Sequence, residues 1–220
     1  IGNSPASDSY LNKNIIIELA KTIGADAIHP GYGFFSENAL FIEEVEKSGI
    51  TFIGPSSKSV KMMGSKTAAR TLMSKNNVPV VPGTLEAIKN VEEGIEFSEK
   101  IGFPVLLKAS AGGGGKGMRK VLGKEEFKSA FESTKREALK SFANDEVYIE
   151  KFIENPKHIE VQVIADKHGN YRHVFERECS IQRRHQKIIE EAPSAFVDEI
   201  TRNKITTAAI QAAKACGYYN

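Results

Sequence analysis

Residues 105–119, VLLKASAGGGGKGMR, combine a lysine in a short apolar run with five glycines. Glycine at this density costs conformational entropy, and it leaves backbone N–H groups free to approach a ligand closely. Lys108 lies in the apolar run, where a charge requires an anionic partner. This pattern predicts a β-hairpin flap whose N–H groups, together with Lys108, hold the oxygens of a triphosphate.

Three other glycine motifs fit these residues less well. A dinucleotide site needs a helix after its third glycine, but MRKVL after Gly117 has the character of a strand. A Walker loop needs Ser or Thr after its lysine, and Lys116 is followed by Gly117. The protein-kinase loop, a glycine-rich turn between two strands, is the nearer analogue. A slack hairpin tip is the purely structural alternative.

A second cluster of ligand-type residues lies in ERECSIQRRHQK, where Arg183, Arg184, His185 and Lys187 are close together. As an anion pocket, it would place Lys187 against a small oxyanion, with Gln182 and His185 against a sugar or a phosphate. A solvated basic loop is the simpler alternative. A nucleic-acid surface is disfavoured, because no aromatic residues are interleaved for base stacking.

Two further segments could contribute to a ligand site. In IHPGYGFFSEN, Tyr32 lies between Gly31 and Gly33 at the end of a predicted strand, where α/β sheets bind ligands, although a tight structural turn is equally consistent. YIEKFIENPKH could be a hinge that offers a backbone donor and acceptor to an adenine edge, with Glu150 near the amino group. Its structural alternative is a strand that leads into a turn.

The apolar periodicity predicts two kinds of module around these segments. Helix 11–22, a second helix capped by Ser36, and the strands ADAIHP and ITFIG alternate as in a parallel α/β sheet. Helices 56–63 and 65–75 follow. A helix at 90–100, the strand FPVLLKA, the glycine loop, the strand GMRKVL, a helix at 124–141 and the strand EVYIEKF then form a compact α+β module.

Beyond this module the pattern changes to strict alternation. In HIEVQVIA, the polar residues His158, Glu160 and Gln162 share one face of a strand. The turn DKHGN leads into YRHVFEREC, which predicts an antiparallel hairpin, and a last helix covers 197–216.

The composition excludes several classes of protein. The chain has 220 residues, of which 40% are apolar, and a net charge of +2, so it is globular and has no charge-based case for nucleic acid. No apolar run approaches the ~20 residues of a membrane span, and no signal peptide is evident. Cys179 and Cys216 match no metal-ligand spacing and indicate reduced thiols. A soluble, cytoplasmic protein is the expectation.

The segments HPGYGFFSEN, MGSK, VLLKASAGGGGKGMR, YIEKFIENPKHIEVQV and ERECSIQRRHQKIIEEAP resemble, in order and spacing, the biotin carboxylase component of biotin-dependent carboxylases. These belong to the ATP-grasp superfamily. The resemblance implies α/β and α+β structure in an incomplete ATP-grasp fold. Its expected parts are a partial N-terminal α/β domain (1–63), a helical linker (64–79), a complete glycine-flap lid domain (80–152) and a partial C-terminal antiparallel-sheet domain (153–220).

The resemblance also implies roles for individual residues. Lys187 is the implied bicarbonate ligand and, with His185, a catalytic residue, and Tyr32 with Gly33 belongs to the biotin entrance. The implied ATP-binding residues are Lys66, Lys108, Gly112, Gly113, Gly114, Gly115, Met118, Glu150, Lys151, Phe152, Ile153, His158, Gln182 and His185.

The implied reaction is ATP-dependent carboxylation of biotin on a carrier protein, with bicarbonate as carbon source and carboxyphosphate as intermediate. The expected partners are the biotin carboxyl carrier protein, a carboxyltransferase such as that of acetyl-CoA carboxylase, and a second copy in a homodimer. The Mg²⁺ ligands, the catalytic arginine and the bicarbonate base are expected outside these 220 residues, so the isolated chain is expected to be inactive. The alternatives are a truncated nucleotide-binding paralogue and another ATP-grasp ligase, such as a carbamoyl-phosphate synthase.

Overall fold

The computed structural model describes residues 1–110, 117–184 and 186–220. The chain folds as two compact units. Within the described residues, no helix combines the length and apolar character that a bilayer crossing requires. The first unit comprises Ile1–Gly64, Val163–His173 and Ile210–Asn220, and the second comprises Ser65–Gln162 and Val174–Ala209.

The helices are α1 (Lys13–Thr22), α2 (Ala39–Lys47), α3 (Ser57–Gly64), α4 (Lys66–Lys75), α5 (Val91–Ile101), α6 (Lys124–Phe142) and α7 (Glu199–Ala215), after a short 3₁₀ turn at Ala6–Asp8. The strands are β1 (Ala27–Ile28), β2 (Thr51–Phe52), β3 (Val105–Ala109), β4 (Met118–Val121), β5 (Val147–Lys151), β6 (Ile159–Ala165), β7 (Tyr171–Arg183) and β8 (Gln186–Glu191).

The first unit has the predicted parallel α/β arrangement. Strands β1 and β2 pair in parallel, and α1 and α2 bury Ile17, Phe41 and Val45 in one core. The predicted cap of α2 was wrong. The side chain of Asn38 accepts the N–H of Phe41, while the Ser36 hydroxyl accepts the N–H of Gly33 in the preceding turn. Both residue types suit the N-cap position, so the sequence pattern could not separate them.

The second unit contains the predicted α+β module. Its antiparallel sheet has the order β4-β3-β5, and α5 and α6 pack on one face of it. Burial alternates along β3, where Val105, Leu107 and Ala109 are buried. The core between the sheet and the helices also contains Val121, Phe127, Phe131, Val147 and Ile149. Because side chains alternate across a strand, the even-numbered residues of β3 point away from this core.

A second sheet has the order β6-β7-β8. The predicted hairpin of β6 and β7 is present, but β8 was missed, because all of its residues are exposed and show no apolar alternation. The fully buried Glu176 on β7 accepts two hydrogen bonds of 3.0 Å from Nε of Arg202 on α7. Arg202 lowers the pKa of Glu176, and this ion pair attaches the start of α7 to the sheet.

The packing of α5 on α6 predicts the effect of a glycine substitution. A Cβ on Gly94 would lie 2.5 Å and 2.7 Å from ring atoms of Phe127. We therefore expect Gly94→Ala to lower the free energy of unfolding by about 1–3 kcal/mol, even though alanine favours helix formation. Urea denaturation of the full-length protein measures this change.

Gly64→Ala is the matched control, because Gly64 also lies in a helix and its Cβ position has no atom within 4 Å. It should leave the urea midpoint unchanged or raise it slightly. Equal effects of the two substitutions would contradict the close approach of α5 to Phe127.

Candidate functional site

The face of the β4-β3-β5 sheet opposite the core helices brings together three predicted ligand residues. Lys108 on β3 pairs with Met118 on β4 and with Tyr148 on β5, and Glu150 lies two residues beyond Tyr148 on the same face. Residues directly opposite in an antiparallel pair share a face. The sheet therefore places Lys108, Met118 and Glu150 on one surface.

Glu150 is the centre of an ion-pair network on this face. Its Oε2 accepts a hydrogen bond from Nζ of Lys108, and its Oε1 accepts one of 3.0 Å from Nη1 of Arg70 on α4. The side chains of Arg70, Lys108 and Glu150 are 9%, 22% and 17% exposed, respectively. Each carboxylate oxygen therefore has its own cationic partner in a place with little water.

Lys66, at the start of α4, adds a further positive charge. Partial burial lowers the pKa of Lys66, the charge of Lys108 lowers it further, and Glu150 opposes the shift. Burial and the Glu150 charge raise the pKa of Tyr148 to about 12, which keeps its phenol neutral. Around Glu150, the cations Lys66, Lys108 and Arg70 outnumber the carboxylate, which leaves an excess of positive charge.

The predicted hinge begins within the end of β5 and continues into the residues after it. The Lys151 ammonium donates to the carbonyls of Gly102 and Phe103, so this side chain points away from the Glu150 face. The N–H of Lys151 donates to Pro82 at 2.7 Å, and that of Phe152 donates to Pro104 at 3.1 Å. Ile153 continues the chain beyond these two anchored residues and is 46% exposed.

The ends of the glycine loop are fixed to the same sheet. Ala109 N–H donates to the carbonyl of Gly117 at 2.9 Å, and Ser110 N–H donates to that of Glu146 at 2.9 Å. Gly117 has φ +68°, and a Cβ there would lie 2.9 Å from the Cβ of Ala109, so glycine fits this turn. Gly112, Gly113, Gly114 and Gly115, predicted to hold phosphates, lie outside the described residues.

A second network surrounds Glu160 on β6. Its carboxylate accepts hydrogen bonds from Lys187 on β8 and from Arg177 on β7. Arg177 also donates to Oε1 of Gln162 at 3.2 Å, so polar residues on one face of β6 do meet a common partner. Lys187 and Arg177 lower the pKa of Glu160, and Glu160 raises that of Lys187.

Two of the predicted sugar and phosphate neighbours, His158 and Gln182, contact residues of β7 in this second network. The N–H of His158 donates to Oγ of Ser180 at 2.9 Å, and its carbonyl accepts the N–H of Cys179 at 2.8 Å. Gln182 pairs with Lys187 across β7 and β8, and its Nε2 donates to the carbonyl of Cys179. His185 lies outside the described residues.

Ligand atoms of His158, Glu160 and Cys179 lie within 4.8 Å of one another. This group does not fit Mg²⁺, which prefers oxygen ligands in octahedral geometry. Glu160 is already paired with two cations, and burial raises the pKa of the Cys179 thiol. The arrangement is therefore an ion-pair network beside a protonated thiol.

Tyr32 and Gly33 lie in the first unit, in the turn that follows β1. The Tyr32 side chain is 99% exposed. Gly33 has φ +97°, and its N–H donates to Oγ of Ser36 at 3.0 Å. The turn therefore presents Tyr32 to solvent on a backbone that requires glycine at position 33.

Sequence reasoning did not identify Arg70 or Arg177 as site residues, and it did not identify Glu160 as the partner of Lys187. One signal for Arg70 was available, because it lies three residues before Met73 and so shares the buried face of α4. For Arg177 and Lys187, no local pattern identifies the partner, because it lies on a different strand.

Two family models together match nearly the whole chain. Residues 65–220 match the family model "Carbamoyl-phosphate synthase L chain, ATP binding domain", and residues 1–60 match "Biotin carboxylase, N-terminal domain". A biotin carboxylase of Halalkalibacterium halodurans is 52% identical over 220 residues, which are 100% of this chain and 49% of that protein. The chain thus spans about half the length of the curated relatives it matches.

Two solved structures are similar to the whole chain. The biotin carboxylase–β,γ-ATP complex from Campylobacter jejuni has a TM-score of 0.91 and 49% identity, and the match covers 100% of this chain and 49% of that one. The biotin carboxylase domain dimer of Hydrogenobacter thermophilus 2-oxoglutarate carboxylase, in complex with MgADP, ADP and bicarbonate, has a TM-score of 0.88 and 48% identity, with coverage of 100% and 48%.

The parallel α/β unit and the antiparallel β4-β3-β5 sheet match ATP-grasp structures of biotin carboxylases over about half of their length, as expected from the sequence. The chain belongs to the biotin carboxylase family.

The Glu160 network predicts a pH-dependent loss of stability. Its cationic partners hold the pKa of Glu160 below the ordinary value of 4.5, so the folded state binds fewer protons than the unfolded state. This stabilisation is present above pH 4.5 and is lost as the pH falls through the folded-state pKa. We expect Glu160→Gln to lower the urea midpoint at pH 7 and to flatten its decline below pH 4.5.

Glu132→Gln, on the exposed surface of α6, is the control and should leave the profile unchanged. An acid profile of Glu160→Gln with the slope of the wild type would show that the Lys187 and Arg177 contacts do not favour the carboxylate.

Proposed function

We propose that this chain forms the nucleotide and bicarbonate side of a biotin carboxylase, which carboxylates biotin on a carrier protein with ATP and bicarbonate through carboxyphosphate. The observation that carries this proposal is the excess of positive charge around Glu150, on the open face of the sheet whose ends anchor the glycine loop. Phosphoryl transfer depends on positioning and charge neutralisation.

Lys108 and Lys66 are the proposed phosphate ligands. Burial and the charge of Lys108 lower the pKa of Lys66; a phosphate oxygen would oppose both effects and would give Lys108 a second anionic partner. Backbone N–H groups of Gly112–Gly115 would cover the phosphates from the loop. Closing the loop would also keep water from a reactive carboxyphosphate.

The hinge is the proposed adenine site. The N–H groups of Lys151 and Phe152 already donate to the carbonyls of Pro82 and Pro104. We therefore assign the N–H of Ile153 as the donor to the adenine edge. Glu150 lies near the adenine amino group. Met118, on the same face of the sheet as Glu150, supplies an apolar wall for the ring.

Lys187 is the proposed bicarbonate ligand. Glu160 raises the pKa of Lys187, so this ammonium keeps its charge throughout the neutral range. Glu160 and Arg177 act as positioning residues, because their contacts hold Lys187 beside Gln182. His158, Gln182 and His185 are assigned to the ribose and phosphates, and His185 to catalysis together with Lys187. Bicarbonate in the Hydrogenobacter thermophilus structure supports this type of ligand.

Further assignments concern the whole protein. Tyr32 and Gly33 are proposed to belong to the biotin entrance. The proposed divisions of the chain are the N-terminal domain (1–63), the linker (64–79), the lid domain (80–152) and the C-terminal domain (153–220). The carrier protein, a carboxyltransferase and a second copy are the proposed partners, the last supported by the dimeric relative. The free, buried cysteines suit a reducing compartment such as the cytoplasm.

Magnesium would neutralise phosphate charge, and we propose ligands for it outside these 220 residues, since the His158–Glu160–Cys179 group does not suit it. The 220 residues alone are therefore proposed to be inactive.

Biotin-stimulated, bicarbonate-dependent ATP hydrolysis by the full-length protein tests this function. The family model that covers residues 65–220 takes its name from carbamoyl-phosphate synthase, which is the second candidate. Hydrolysis that needs bicarbonate but does not respond to biotin would favour that ligase. The match of residues 1–60 to a biotin carboxylase domain favours the first candidate.

Lys108→Met tests the phosphate assignment directly. A hydrogen bond to a charged group contributes about 1.5–3 kcal/mol, so we expect ATP to bind the full-length variant roughly ten to a hundred times more weakly. Isothermal titration with ATP measures the dissociation constant. Lys140→Met, exposed at the end of α6, is the control and should bind ATP as the wild type does. Unchanged affinity in Lys108→Met would remove Lys108 from the phosphate site.

A further inference from the structure

Arg70 is a nearly buried cation that the reaction described above does not use. It lies on α4, where its residue is 9% exposed. Its Nη1 donates to Oε1 of Glu150 at 3.0 Å, and its Nη2 donates to the carbonyl of Val81. The guanidinium therefore joins α4 both to the segment before α5 and to the carboxylate at the centre of the nucleotide face.

The surrounding backbone leaves space for this guanidinium. A Cβ on Gly83 would lie 2.6 Å from Nη2 of Arg70 and 2.4 Å from the carbonyl oxygen of Ile149. Gly83 also forms an isolated bridge with Glu150. Any side chain at position 83 would push Arg70 away from Glu150, so the close approach of these groups depends on a glycine.

The two oxygens of Glu150 have partners of different kinds. Arg70 binds Oε1 and is held at its other nitrogen by Val81, whereas Lys108 binds Oε2 at the end of a long, flexible side chain. If Lys108 were the sole counterion, its movement to a phosphate would leave a largely buried carboxylate uncompensated, which is costly. With Arg70 in place, Glu150 keeps a cation when Lys108 leaves.

We propose that Arg70 is a positioning residue that keeps Glu150 charge-compensated, so that Lys108 can exchange its ion pair with Glu150 for one with a nucleotide phosphate. This role rests on the proposed function, because the phosphate is the second partner of Lys108. Arg70 itself touches no substrate. Arg70 acts only by compensating the charge of Glu150, and the measurable result is a higher affinity for nucleotide.

A double-substitution cycle in the full-length protein tests this role. ATP affinity is measured by isothermal titration for the wild type, Arg70→Met, Glu150→Gln and the combined variant, with urea midpoints as the readout of folding. We expect Arg70→Met to bind ATP roughly ten times more weakly, equal to about 1.4 kcal/mol. In the Glu150→Gln background, Arg70→Met should cause little further loss, because the carboxylate that retains Lys108 is already gone; the single Glu150→Gln variant accounts for any lost contact to the adenine amino group.

Arg70→Lys separates charge compensation from structural support. An ammonium can pair with Glu150 but cannot also hold Val81 as the guanidinium does. We expect this variant to have a lower urea midpoint but an ATP affinity within about threefold of the wild type. Arg136→Met, on the exposed surface of α6, controls for the loss of an arginine and should change neither measurement.

The proposal is overturned if Arg70→Met weakens ATP binding as much in the Glu150→Gln background as in the wild type, or if Arg70→Lys loses as much affinity as Arg70→Met. If Arg70→Met does not fold, the affinity of Arg70→Lys alone decides, and a tenfold loss there overturns the proposal. A wild-type protein that does not bind ATP contradicts the proposed function instead, which keeps the two failures distinct.

Discussion

The candidate site of this chain is built around a single carboxylate, Glu150, that is paired with two cations. Glu150 has one oxygen for Arg70 and one for Lys108, and Lys66 adds a further positive charge nearby. In a half-buried place, that excess of charge favours an anion over water. The antiparallel sheet fixes the excess beside the glycine loop, because β3 carries Lys108 on its open face and runs directly into the loop.

The two faces of the β4-β3-β5 sheet differ, because one packs in the core and the other carries the candidate site. Residues of β3 that point to α5 and α6 are buried and apolar, and those that point the other way are charged or partly exposed. Lys151 shows the same separation, since it is adjacent to Glu150 but donates to the carbonyls of Gly102 and Phe103. Its neighbours in sequence can therefore serve a ligand while Lys151 itself holds the hinge against the loop before β3.

The second network uses a related arrangement around Glu160, where Lys187 and Arg177 share one carboxylate. The two networks differ in how their cations are held. Arg177 is shared between Glu160 and Gln162, whereas Arg70 is enclosed by the backbone of Val81 and Gly83. In the proposed roles, the partly exposed Glu160 network positions Lys187, and the more buried Glu150 network allows Lys108 to exchange its partner.

Much of the fold, and the position of several candidate site residues on one face of a strand, could be predicted from local patterns. A short apolar run identified the strand of Lys108, polar–apolar alternation identified the polar face of His158, Glu160 and Gln162, and glycine density identified the loop. Strand β8 escaped prediction because both of its faces are exposed. By itself, the sequence determined which side chains could carry charge and on which face of each strand they lie, since these follow from period and composition. Only the tertiary structure decided that Arg70 meets Glu150 and that Lys187 meets Glu160, because these pairs are 80 and 27 residues apart and form through packing between elements.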